Sequence, residues 1–273
     1  MRDADIAMWL RACHSSDPAR QIAAIQHLLA LGTSDCVPTL IDTLKSPDAV
    51  VRCTAAGALA RLGQKDPWTV GAALVDLLKD PEVIVRSEAV DALGILRYSL
   101  ASKKIEALLL NDPEPLVRAS AAEALGDMGD ASVLRALELA LHDTDNAVRG
   151  YAANSIGLLG ATSKLLKLQS FAEREQSPEV KAELHGAVYR LGSTEGLSAL
   201  LKLLEVADEK LAANILNILN DLSGRNAPPT LADDAARILS AMTALRRRTS
   251  LLSADVDQII SRLGRVGHFS PEV

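Results

Sequence analysis

Asp112-Pro113-Glu114-Pro115-Leu116-Val117-Arg118-Ala119-Ser120-Ala121-Ala122-Glu123-Ala124-Leu125-Gly126-Asp127-Met128-Gly129 is one copy of a block that recurs along most of the 273-residue chain. The block joins an Asp/Ser-Pro turn, a Val-Arg pair, an Ala-rich run and a Leu-Gly or Met-Gly ending, and self-similarity at a fixed period marks a repeat architecture. Other copies carry Ser46-Pro47 with Val51-Arg52 and Leu62-Gly63, Asp80-Pro81 with Val85-Arg86 and Leu96, and Asp143-Thr144 with Val148-Arg149 and Leu159-Gly160. A last clear copy has Ser177-Pro178, Val180-Lys181 and Leu191-Gly192. The cationic positions Arg52, Arg86, Arg118, Arg149 and Lys181 stand 34, 32, 31 and 32 residues apart. Degenerate copies at 16–32, with Gln21 in the cationic column, and at 207–222 lengthen the array at both ends.

Each period reads as two helices. Over 131–141, Val133, Leu134, Leu137 and Leu141 fall at helical spacing, and Asp143, Thr144 and Asp145 break that helix and can cap the next. A second helix over about 146–159 aligns Val148, Ala152, Ile156 and Leu159, and Gly160 supplies its stop. Such a pair cannot bury its apolar stripe alone, but stacking pairs makes one continuous core, the logic of an α-solenoid. The sequence therefore predicts an all-α solenoid of about seven stacked helix pairs over residues 1–222, opened by a helix over 3–12 with Ile6, Trp9 and Leu10. Residues 223–273 depart from the repeat: a loop at 223–230 with Gly224, Pro228 and Pro229, then helices over 231 to about 248 and 253 to about 263, read as a C-terminal helical cap.

The block resembles the short HEAT repeats of the phycobilisome-lyase type, over roughly residues 16–222. That resemblance implies a HEAT-like fold with an Asp/Arg ladder between repeats. It leaves function open, because such repeats occur in scaffolds, adaptors, chromophore lyase subunits and deoxyhypusine hydroxylase, and similar solenoids in alkylpurine DNA glycosylases. The hydroxylase builds its metal site from repeated His-Glu pairs. Here His14, His27, His142, His185 and His268 are each followed by another residue, so that chemistry is not expected, and no metal or other cofactor is called for.

Composition narrows the classes further. The net charge is -6, and residues 1–224 hold 22 Lys+Arg against 30 Asp+Glu, which argues against gripping phosphate backbones and so against nucleic acid. No apolar run of about 18 residues occurs and the start, Met1-Arg2-Asp3-Ala4-Asp5, is acidic, so the expectation is a cytoplasmic protein without a membrane partner. Cys13, Cys36 and Cys53 show no C-x-x-C spacing, and no G-x-S-x-G, P-loop or dinucleotide fingerprint marks a catalytic site. Only Trp9, Trp68, Tyr98, Tyr151, Phe171, Tyr189 and Phe269 could contact a tetrapyrrole, and most are expected on different faces.

The Arg column has a structural reading and a ligand reading. One step after the buried Val, at about 100° per residue, it points along the stack, so Arg52, Arg86, Arg118, Arg149 and Lys181 are expected to pair with Asp80, Asp112 and Asp143 of their own or adjacent repeats. Taking the side opposite the buried Val as solvent-facing gives an expected concave groove. Its floor would be small residues two and nine steps on (Ser87, Ala119, Gly150 and Gly94, Gly126, Gly157 among them), and its middle Asp91, Glu123, Asn154 and Asn217. Tyr151, His185 and Tyr189 are expected toward its C-terminal half. The expected function is a non-catalytic scaffold or adaptor binding a protein partner through a basic element of that partner. A bilin-handling lyase subunit and an inhibitor that neutralises a basic partner are the alternatives. Arg246-Arg247-Arg248 is a secondary docking candidate, or else a helix C-terminus whose cations suit the dipole. Neither the partner nor the oligomeric state is written in the sequence.

Overall fold

A computed structural model describes residues 2–224 and 227–266; His268 and Phe269 lie outside them. The described residues form α-helices and short 3-10 turns, with no strand among them, so the fold is an all-α solenoid. Two compact units divide the chain, 1–140 and 141–273. The first holds α1 (Arg2–Ala12), α2 (Pro18–Leu31), α3 (Val37–Thr43), α4 (Ala49–Leu62), α5 (Pro67–Leu74), α6 (Val83–Ile95), α7 (Ser102–Asn111), α8 (Pro115–Met128) and α9 (Leu134–Ala140). The second holds α10 (Asn146–Leu158), α11 (Leu165–Arg174), α12 (Pro178–Arg190), α13 (Thr194–Val206), α14 (Glu209–Leu222), α15 (Leu231–Arg248) and α16 (Ser253–Val266).

Local chemistry sets the helix limits. Asp48 Oδ1 accepts from Val51 N at 3.0 Å, and Asp145 Oδ1 from Ala147 N and Val148 N, so α4 and α10 start where a carboxylate meets otherwise unpaired N–H groups, while the Ser177 hydroxyl does this for α12. Pro at the first turn of α2, α8 and α12 sits where no N–H is needed. At the other end Gly129 closes α8 at φ 74° and Gly160 follows α10 at φ 65°. The third repeat lacks this glycine. Arg97 takes the same left-handed conformation, φ 50°, while Tyr98 N still reaches Leu93 O at 3.0 Å to complete the turn.

Within unit one α2, α4, α6 and α8 stack side by side, and within unit two α10, α12 and α14 do. Small residues bring the axes close: a Cβ at Gly94 would stand 2.8 Å from Ala124 Cβ, and one at Gly157 3.0 Å from Ala187 Cα. Val51, Val85, Val117 and Val148 are wholly buried, as are leucines of the same second helices such as Leu59, Leu93 and Leu125. The aliphatic core of unit two runs on through α14 into α15 and α16, where Ile238, Met242, Val256 and Ile259 cover the outer side of the last helix pair.

Guanidinium groups tie consecutive turns together. Arg52 Nε and Nη2 donate to Asp80 at 2.7 and 2.8 Å, Arg86 to Asp112 at 2.8 and 3.0 Å, and Arg149 to Glu175 at 2.8 and 2.9 Å. Each Nη1 also reaches back to its own turn, as Arg86 does to Asp80 O and Pro81 O and Arg118 to Asp112 O and Pro113 O. The carboxylate in turn accepts a backbone N–H two residues on, Asp80 from Glu82 and Asp112 from Glu114. Glu175 was absent from the sequence expectation, which aligned Ser177-Pro178 with the Asp-Pro turns. Counted back six residues from Lys181, Glu175 holds the ladder position. Lys181 leaves the ladder: among the described residues it makes no ion pair, and the matching place one repeat on is Ala207, which has no carboxylate. At the other end Ser46 Oγ donates to Gln21 Oε1 at 3.3 Å, a neutral version of the same rung.

Burial alone would raise Asp80 and Asp112, but the Arg hydrogen bonds and turn N–H groups outweigh it and hold both below the usual carboxylate range. Arg149 holds Glu175 at about 2 against an ordinary 4.5. A depressed acid stabilises the fold fully above its unfolded value, so this contribution should drain as pH falls from about 4.5 toward about 2. Asp112→Ala, which strands a guanidinium whose side chain is 12% exposed, should cost about 3–5 kcal/mol in urea unfolding. A cost near zero would show that the pair does not hold the repeats. Arg97→Gly should instead stabilise by about 0.5–1 kcal/mol, because the left-handed turn costs an L residue about 1–2 kcal/mol and glycine returns part of that as unfolded-state entropy. Destabilisation would overturn this account of the third repeat.

Candidate functional site

The expected groove floor is not a floor. Ala60, Gly94, Gly126 and Gly157, nine steps after the buried Val, are buried, as are Ser87, Ala119, Gly150 and Ala182 two steps after it. Within a unit, second helices such as α4, α6 and α12 pack against their own first helices and against second helices on two sides. Residues at about 180–200° therefore meet the following helix, as Gly94 meets Ala124, and the open sector centres near about 270°. The positions six steps on keep their place at its edge, joined by those three and ten steps on.

In unit one this open side of α6 and α8 carries Glu88, Asp91, Glu123 and Asp127. Glu88 lies over Gly57 of α4, where an added Cβ would come within 2.5 Å of Glu88 Oε1. Ser87 Oγ and Ser120 Oγ share a 2.9 Å hydrogen bond across α6 and α8, and Ser120 also bonds Asp91. Burial raises Glu88 and Asp91 above their ordinary values, Asp91 adding repulsion to Glu88 while Arg61 partly relieves it. Glu123 reaches solvent, yet lost hydration between the helices and then Asp91 and Asp127 push it up to about 7. Among the described residues Glu88, Asp91 and Glu123 form no ion pair, and no three carboxylates, thiols or imidazoles are grouped as metal ligands would be.

In unit two Tyr151, Asn154 and Asn217 line a cavity of about 490 Å³ between α10, α12 and α14, together with Glu183, Asn214 and Lys210. Lys210 Nζ stands 3.5 Å from Glu179, Arg190 pairs with Asp221, and Asn214 Nδ2 donates to Glu183 at 3.2 Å. Two expected members are elsewhere. Tyr189 is 0% exposed, in one core cluster with Leu197 and Leu200, and burial, opposed by Thr230 and reinforced by Asp234, pushes its hydroxyl up to about 12. Its place nine steps after Val180 is the seam, where α13 presses in through Gly196; a Cβ there would be 2.6 Å from Tyr189 N. His185 is half-buried and does not line the cavity; burial and then Lys181 lower its pKa.

The Arg246–Arg248 run is largely occupied. Arg248 donates to Leu204 O at 3.0 Å, to Ala207 O at 3.1 Å and to Glu205 O, capping the C-terminus of α13, and Arg246 pairs with Asp257 at 3.1 Å. Only Arg247 remains as an exposed cation without such a contact. His27 stacks on Trp9 at 4.1 Å and His142 meets Phe171 edge-on at 4.9 Å, so both imidazoles serve packing. Cys13, Cys36 and Cys53 are free thiols, and burial, with Cys36 beside it, pushes Cys13 up to about 11. No helix among the described residues is long and apolar enough to cross a membrane.

A raised carboxyl favours the fold below its unfolded value and withdraws that support as pH rises through its folded one. Glu123→Gln should leave the melting temperature unchanged near pH 4 and raise it above about pH 7, where wild type must ionise Glu123. Equal melting at both pH values would remove Asp91 and Asp127 as its neighbours in effect.

Comparison with known proteins agrees with the architecture. The family model for HEAT repeats matches residues 6–94, 62–126 and 102–186. The CpcE–CpcF complex of phycocyanin lyase from Nostoc sp. PCC7120 superposes with a TM-score of 0.61 at 22% identity, covering 84% of this chain and 94% of that one. YibA of E. coli gives 0.52 at 18% identity, covering 95% and 92%. Importin beta gives 0.50 at 14% identity over 97% of this chain and 43% of its own. These likenesses describe the fold. Among curated protein sequences none matches the chain.

Proposed function

The chain belongs to the HEAT-repeat family, and on that premise we propose that it is a non-catalytic scaffold or adaptor which receives a basic element of a protein partner on the open side of α6 and α8. The carrying observation is the line of Glu88, Asp91 and Glu123, three carboxylates with raised pKa values that form no ion pair, Arg61 giving Glu88 only partial relief. An incoming Lys or Arg relieves their mutual repulsion and supplies the partner they lack, and such complementarity selects partner and register. An inhibitor that neutralises a basic protein would use the same surface and differs only in what the partner loses by binding.

The chromophore-lyase alternative has the likeness to the phycocyanin lyase complex and the cavity of unit two in its favour. A tetrapyrrole's propionates need cations, and there Arg190 and Lys210 are already matched to Asp221 and Glu179. That places the scaffold reading first.

The charge reversals Asp91→Lys and Glu123→Lys should each weaken capture of the partner from a cell extract at low salt, with the difference shrinking as salt rises and the melting temperature little changed. Undiminished capture by both variants at low salt would reject the acidic face.

A further inference from the structure

Beside the carboxylates runs a second feature that the helix geometry places in the same open sector. Val50, Ile84 and Leu116 are 50%, 45% and 53% exposed, although scattered single apolar residues are the norm on a protein surface. These three are not scattered. Each stands one step before the buried Val of its repeat, at about 260° on α4, α6 and α8, so together they make an apolar ridge crossing three stacked helices. In unit two the same column holds Ala147 and Glu179, so the ridge is confined to the unit that carries the acidic line. Glu88 follows Ile84 by four residues, and Asp91 and Glu123 follow Ile84 and Leu116 by seven, which sets the carboxylates about 6 and 10 Å along the helix axes from the ridge.

The geometry points to one kind of occupant: a basic amphipathic helix of the partner protein, laid across α4, α6 and α8 with its apolar stripe on Val50, Ile84 and Leu116 and its Lys/Arg flank on Glu88, Asp91 and Glu123. Stacked helices lie about 8–10 Å apart, and a helix advances about 10.5 Å in seven residues, so apolar residues at i, i+7 and i+14 meet the three ridge residues in turn. A helix is about 10–12 Å across, which carries its basic flank over the acidic line. An extended segment would match neither spacing with one face. This inference rests on the acidic face proposed above and adds the shape, polarity and direction of what binds it.

The probe is a synthetic helical peptide with Leu at i, i+7 and i+14 and Lys along one neighbouring flank, against a peptide of identical composition scrambled so that the leucines leave the common stripe. Fluorescence anisotropy with the full chain should show the ordered peptide bound roughly tenfold or more tighter than the scrambled one. Ile84→Ser with Leu116→Ser should erase that preference, and Asp91→Lys with Glu123→Lys should weaken both peptides, with melting curves confirming that each variant is folded. If the ridge variant keeps the full preference, or wild type does not distinguish the peptides, the helix inference falls. It falls alone if the charge reversal still weakens binding, whereas binding indifferent to both double variants overturns the acidic face as well.

Discussion

The central repeats of this protein lean on guanidinium groups, those of Arg52, Arg86 and Arg149, that each belong to two turns at once. Arg86 holds the carbonyls of Asp80 and Pro81 in its own turn and the carboxylate of Asp112 in the next, and Asp112 passes the constraint on through the N–H of Glu114. A planar fork with donors on both edges can do this, whereas an ammonium cannot present two parallel bonds and still reach back to a carbonyl. The pairs are largely buried, so their value lies in what breaking them costs and in the register they impose rather than in net attraction. Where the column changes to Lys181 opposite Ala207, the rung is absent, and Arg248 of α15 supplies guanidinium contacts to the carbonyls around Ala207 instead.

With register set by the turns, the second helices close up along glycine and alanine. The contact of Gly94 with Ala124 and of Gly157 with Ala187 consumes two directions around each helix, the first helices consume a third, and one narrow sector is left to solvent. The exposed surface of the stacked second helices is therefore confined to a few columns. In unit one those columns hold apolar residues at the helix starts and carboxylates a turn or two beyond. In unit two they hold Tyr151, Asn154 and Asn217 around a cavity whose cations Arg190 and Lys210 are paired with Asp221 and Glu179.

The repeat, its helix pairs and their limits were legible in the sequence because each rests on local chemistry repeated several times: a capping Asp, a proline in the first turn, an aliphatic stripe, a stop glycine. The expected helix over 146–159 is Asn146–Leu158, and the expected last helices are Leu231–Arg248 and Ser253–Val266. In the cationic column Arg52 and Arg86 meet Asp80 and Asp112 because the spacing keeps those positions pointing along the stack, whereas Arg149 meets Glu175 and Lys181 makes no ion pair among the described residues. Of the expected groove residues Glu123, Tyr151 and Asn217 are exposed and Asp91 and Asn154 half-buried.

Only the tertiary structure could choose which sector stays open. A helical wheel supplies one buried direction and leaves the rest equivalent, whereas a stacked helix has neighbours on three sides, and that is what carried Tyr189 into the core and turned the glycine columns into seams. The same limit hid Val50, Ile84 and Leu116, which read as ordinary apolar residues until packing left about half of each exposed. Glu175 entered the ladder for a related reason: the turn that contains it departs from the Asp-Pro pattern, and its carboxylate is identified by reaching Arg149 across 26 residues. Sequence determined what repeats and where each helix begins and ends, since those depend on contacts a few residues apart; the usable surface was decided by contacts a whole repeat apart, which no local pattern encodes.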